Sequence, residues 1–138
     1  MSRPIDLLGL YLHLARASER RKRLHVRDRL LIISAVNATR IGLHRIAAYC
    51  RQQVLQHNPQ HLIRRWTTIA DALEESDFLH FLKQLQRRYP QERAERMLDE
   101  LGIEMGRERD AYFSDEEYAA ALINLTPSRL DELFGAEE

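Results

Sequence analysis

Residues 28–57, DRLLIISAVNATRIGLHRIAAYCRQQVLQH, decide the fold. Ile32, Val36, Thr39, Leu43, Ile46, Cys50 and Val54 recur at steps of three and four, and Leu30, Ile33, Ala47 and Ala48 widen the stripe. That period lays an apolar face along a helix. It predicts a long central helix from Asp28 to His57, the second of a bundle. Asn37 and Thr39 lie inside the stripe and need hydrogen-bond partners there.

The first helix starts at Pro4, a residue suited to an opening turn. Ile5, Leu8, Leu12 and Ala15 line one face, and Leu7, Leu10 and Leu14 lie beside them. A helix apolar around so much of its girth is either well covered or partly partner-facing. From Leu10 to Ile41 no Gly or Pro breaks the chain. Ser18 and Asp28 offer caps, and the break is expected near Leu24–Asp28, where charge is dense and the apolar pattern resumes at Leu30.

Beyond His57, Asn58-Pro59 predicts a third helix facing inward with Leu62, Trp66, Ile69, Ala70 and Leu73. Ser76 is expected to cap a fourth, striped by Phe78, Leu82, Leu85 and Tyr89 and stopped before Pro90. A fifth presents Ala94, Met97, Leu98 and Leu101 and halts at Gly102. Residues 102–113 read as a loop anchored by Tyr112 and Phe113. Ser114 with Glu117 is a capping box, and Thr126-Pro127 opens a short last helix ending at Gly135. The expectation is an all-α fold, a single compact bundle of five to seven helices in one domain, 1–138.

Composition agrees. The chain has 138 residues and a mass of 16.3 kDa, enough for one core. Leu (21), Arg (19), Ala (14) and Glu (13) dominate, all good helix formers, while Gly and Pro together number nine. The single cysteine, Cys50, excludes an intrachain disulfide and reads as a buried, inert thiol. The apolar run 7–15 is far short of the ~20 residues that cross a bilayer. No signal peptide is evident, and a cytoplasmic setting without membrane contact is expected.

The formal net charge of zero conceals a division. Residues 1–65 carry thirteen Lys/Arg against three Asp/Glu; residues 66–138 carry eight against eighteen. A basic half and an acidic half point to a polarised surface, unless they neutralise each other within the fold. The densest cluster is Arg16, Arg20, Arg21, Lys22, Arg23, Arg27 and Arg29, opposed only by Glu19 and Asp28. If the helix continued, Arg16, Arg20, Arg23 and Arg27 would line one face, where their repulsion invites an anion. The expected partner is an acidic protein surface or a second copy of the chain. Nucleic acid is the alternative, weakened because no aromatic residue is interleaved with these arginines.

Chemistry-bearing motifs are missing. There is no phosphate-binding glycine loop, nucleophile elbow or Cys-x-x-Cys. His57 and His61 are four apart but straddle Asn58-Pro59, and no Glu-x-x-His pair occurs, so no metal site is expected. His44 reads as a histidine bonded inside the bundle. A helix-turn-helix drawn from Phe78–Tyr89 and Gln91–Leu101 would turn Glu92, Glu95, Asp99 and Glu100 towards phosphates. The chain therefore reads as a non-catalytic interaction or self-associating module, without cofactor.

Overall fold

The computed structural model describes residues 3–135 and is all-α. Among the described residues there are eight α-helices: α1 (Pro4–Arg20), α2 (Leu24–Arg40), α3 (His44–His57), α4 (Ile69–Ala72), α5 (Ser76–Arg88), α6 (Gln91–Glu100), α7 (Asp115–Leu122) and α8 (Pro127–Phe134). Two short 3-10 turns, Leu62–Arg65 and Glu108–Ala111, lie between them.

The long helix expected over 28–57 is two helices. α2 ends at Arg40, and Gly42, at φ 82°, reverses the chain into α3. The amide of Gly42 donates to the Thr39 carbonyl (3.1 Å) and that of Leu43 to Ala38 (2.8 Å), the paired bonds of a Schellman motif. The apolar stripe runs through the break because both helices face one core: Ile32, Val36, Ile46, Cys50 and Val54 are all buried. The centre of the molecule is α2 alone, packed against α1, α3, α4 and α5. Every residue from Leu30 to Val36 in it is buried. Thr39 donates to the Ala35 carbonyl and Ser34 to that of Leu30, whereas the side-chain amide nitrogen of Asn37 is buried without a partner.

The same motif closes three more helices. Lys22 (φ 62°) ends α1, Gly102 (φ 73°) ends α6 and Asn124 (φ 60°) ends α7. The first break therefore spans Arg21–Arg23, ahead of the expected place. Ser18 lies buried inside α1 and Asp28 buried inside α2, so neither is a cap.

The third helix is also corrected. One 3-10 turn follows His61, and then Trp66 adopts extended backbone. Arg51 on α3 donates to the Trp66 carbonyl at 2.7 Å, taking the acceptor that a continuing helix would use. Thr68 then caps the single turn of α4 by accepting from the Asp71 amide. Of the five side chains expected inward, only Ile69 is buried. Ser76 is the first residue of α5 rather than its cap. Phe113 anchors nothing, being 95% exposed, while Tyr112 leans on Tyr118 at 5.5 Å between rings.

The capping box at Ser114 forms, with one change. Ser114 accepts from the Glu117 amide, and Glu117 accepts from the amide of Phe113 rather than from that of Ser114. Thr126 likewise caps α8 by accepting from Arg129. α1 is covered by α2, α6 and α7, so its broad apolar girth is spent inside the molecule and not on an outward face. Tyr11 in its middle donates to the carbonyl of Tyr89 at 2.7 Å, fastening the α5–α6 corner. Burial pushes that phenol up to about 12.

Candidate anionic-partner site

The basic segment does not form one helical face. α1 stops at Arg20, and the reversal through Lys22 sends its arginines in three directions.

Arg16 turns to the end of α7, donating to Asn124 Oδ1 (3.1 Å) and the Leu122 carbonyl (3.4 Å). Arg27 is buried beneath α3. Its Nη2 donates to Asp28 Oδ1 (3.0 Å) and to the Gln53 carbonyl (3.4 Å), and its Nη1 to Glu19 (3.2 Å). The other oxygen of Asp28 bonds His57 Nδ1 at 2.5 Å, and His57 stands edge-on to His25. Asp28 thus ties the start of α2 to the end of α3. It continues the buried stripe four residues before Ile32, the one sequence signal that could have revealed it. Arg29 is half-buried and lies about 200° around α2 from Arg27, away from the cluster.

Arg20, Arg21, Lys22 and Arg23 remain. All four are exposed, and none of their side chains pairs with another group among the described residues. Their backbone is fixed by the bonds of Lys22 to Glu19 (2.9 Å) and of Arg23 to Ser18 (2.8 Å). The result is a rigid turn carrying four consecutive cations.

Elsewhere the two halves do meet. Arg3 pairs with Asp110 (3.1 Å), His13 with Glu108 (2.7 Å) and Arg65 with Asp77 (3.1 Å). Arg45 grips Glu116 with two parallel bonds of 3.1 Å and reaches Asp131 at 2.8 Å, joining α3 to α7 and α8. Neutralisation is thus real but partial. A groove between the start of α1 and α6 is bordered by Asp6, Glu95, Asp99 and Glu104. Asp6 is itself held by Arg3 (2.8 Å), which leaves Glu95, Asp99 and Glu104 as the groove's carboxylates without a cationic partner among the described residues.

His44 is exposed at the first position of α3, not bonded inside the bundle. Cys50 is fully buried, and desolvation pushes its thiol up to about 12. No three His, Cys, Asp or Glu side chains converge to hold a metal among the described residues. No helix among them is long and apolar enough to cross a membrane. No protein family, curated protein or solved structure matches the chain.

Proposed function

We propose that the protein is a non-catalytic, cytoplasmic interaction module whose α1–α2 turn docks on an acidic protein surface. The observation that carries this reading is the exposed, unpaired run Arg20–Arg21–Lys22–Arg23 on a fixed backbone. Like charges about 7 Å apart repel by about 0.6 kcal/mol per pair even in water. Carboxylates arriving from outside relieve that repulsion, and arginine pairs with them in bidentate fashion. Since the apolar faces of α1 and α2 are consumed internally, the contact is predominantly electrostatic and weakens with salt. A second copy is one acidic partner at hand, because Glu95, Asp99 and Glu104 along the α1–α6 groove offer the complementary charge.

A labelled peptide of alternating Glu and Ala tests the turn directly. It should bind at about 50 mM salt and be released as salt rises. The triple variant R20E/R21E/R23E should not bind it. Light scattering at low and high salt measures self-association. Absence of peptide binding and a monomer at every salt concentration would overturn the proposal. Binding to duplex DNA but not to the peptide would favour nucleic acid instead.

A further inference from the structure

Behind the basic turn, a cleft of about 490 Å³ opens between α1, α2, α3 and the end of α7. Its floor is apolar, made by Leu12, Ala15, Leu31 and Leu122, and its walls bring together Arg16, Arg20 and Arg27 with the carboxylate of Glu19. The size lies within the range of small-ligand sites, and a few convergent polar groups on an apolar floor are their usual make-up. We propose that this cleft binds a small organic monoanion, a carboxylate carried on an apolar body. This proposal does not depend on the acidic-partner reading.

The charge balance selects the class. Arg27 is offset by Asp28 and Glu19, its two carboxylate partners. Arg16 meets only an amide oxygen and a carbonyl, and the Arg20 side chain meets nothing. Among the lining groups and their ion-pair partners, three guanidinium groups against two carboxylates leave one positive charge, which suits a single carboxylate. The donors are also at hand. Arg16 keeps its Nε–H, Arg20 keeps its whole fork, and the Tyr49 hydroxyl on the α3 wall has no partner among the described residues. Burial raises the Tyr49 phenol, so it stays an O–H donor at neutral pH. Two of the three guanidinium groups are held in place before any ligand arrives, Arg16 by Asn124 and Arg27 by Asp28, which lowers the ordering cost of binding. Leu12, Leu31 and Leu122 are themselves buried, so the apolar gain comes from the ligand's own surface leaving water as it settles on them.

Octanoate is the probe, followed by amide chemical shifts in the full chain, with octan-1-ol as its neutral counterpart and inorganic phosphate as the bare anion. Octanoate should give saturable shifts confined to the amides of residues 15–20, Gln53 and Ile123–Asn124. Octan-1-ol and phosphate should each bind at least about tenfold more weakly, since each lacks one of the two contributions. Arg20→Met, a change at an exposed side chain that leaves the fold alone, should weaken octanoate about tenfold. Arg16→Met should do the same, while Arg16→Lys should retain part of the affinity. R21Q/R23Q, whose side chains do not line the cleft, should weaken octanoate much less than Arg20→Met does while impairing the acidic-peptide contact, so the two proposals fail separately. Octan-1-ol matching octanoate, phosphate matching octanoate, shifts centred elsewhere, or indifference to Arg20→Met would each overturn the assignment.

Discussion

Gly9 and Tyr118 meet so closely that a Cβ on Gly9 would collide with the phenol oxygen of Tyr118. That oxygen donates to Glu108 at 2.5 Å, and the same carboxylate oxygen is bonded by His13 at 2.7 Å. The glycine in the middle of α1 therefore makes room for a half-buried polar link between α1, α7 and the 3-10 turn before α7.

Gly9→Ala should destabilise the protein by about 1–3 kcal/mol, although alanine is the better helix former by about 1 kcal/mol. Tyr118→Phe should cost about 1.5–2 kcal/mol through the lost bond to a carboxylate. The double variant G9A/Y118F should lose less than the sum of the two, by more than about 0.5 kcal/mol, because removing the hydroxyl makes the space. Urea unfolding of all four proteins measures the coupling, and strict additivity would contradict the collision.

Asp28 holds Arg27 with one oxygen and His57 with the other, all inside the α2–α3 contact. Asp28→Ala leaves a buried guanidinium with only the exposed Glu19 to offset it and should cost about 3 kcal/mol. Glu19→Ala, which removes a carboxylate more than half exposed, should cost less than about 1 kcal/mol. Equal losses in chemical unfolding would show that Asp28 is not the centre of this contact.

Lys22 occupies the left-handed position that Gly42 and Gly102 fill at other helix ends. That conformation costs a side-chain-bearing residue about 1–2 kcal/mol. Glycine returns about 0.5–1 kcal/mol of that through its freer unfolded chain. Lys22→Gly should therefore stabilise the protein by about 0.5–1 kcal/mol while weakening the acidic-peptide contact. A lower unfolding midpoint would mean that Lys22 is not strained.

His61 is half-buried, its Nδ1 accepts the Ile63 amide at 3.1 Å, and burial lowers its pKa. The folded protein thus favours the neutral ring more than the unfolded chain does. Its contribution is complete above the unfolded value of about 6.5 and is lost as pH falls from there through the lowered folded value. His61→Asn keeps a capping acceptor without titrating. Between neutral pH and pH about 5, the wild type should lose more stability than this variant in paired melts. Parallel losses would remove His61 as a source of the pH dependence.

Much of the architecture is legible in local sequence signals. Ser114 with Glu117, Thr126-Pro127 and Gly102 act within a few residues of themselves, and each opens or ends its helix where spacing predicts. The reversal at Gly42 is hidden because the apolar stripe from Ile32 to Val54 continues across it: α2 and α3 face the same core, so periodicity cannot register the turn. Lys22 and Asn124 end helices without the usual glycine, and no sequence rule singles out that lysine. The third helix fails through a long-range competitor, the Arg51 bond to the Trp66 carbonyl. For the candidate site, the cations at 20–23 were readable from density alone. The inward turn of Arg16 and Arg27 was not, because Asn124 and Gln53 are brought to them only by the folded chain. The Arg45–Glu116 grip spans 71 residues and is likewise invisible to a local reading.

The burial of Cys50 supplies a clock for global opening. It is the sole thiol of the chain and sits with no exposed surface on the inner face of α3. A thiol-specific reagent can reach it only when the core around α3 opens, so the labelling rate follows the free energy of that opening. Each substitution above could then be ranked by how fast the reagent is consumed, without denaturant and at any salt chosen for the binding work.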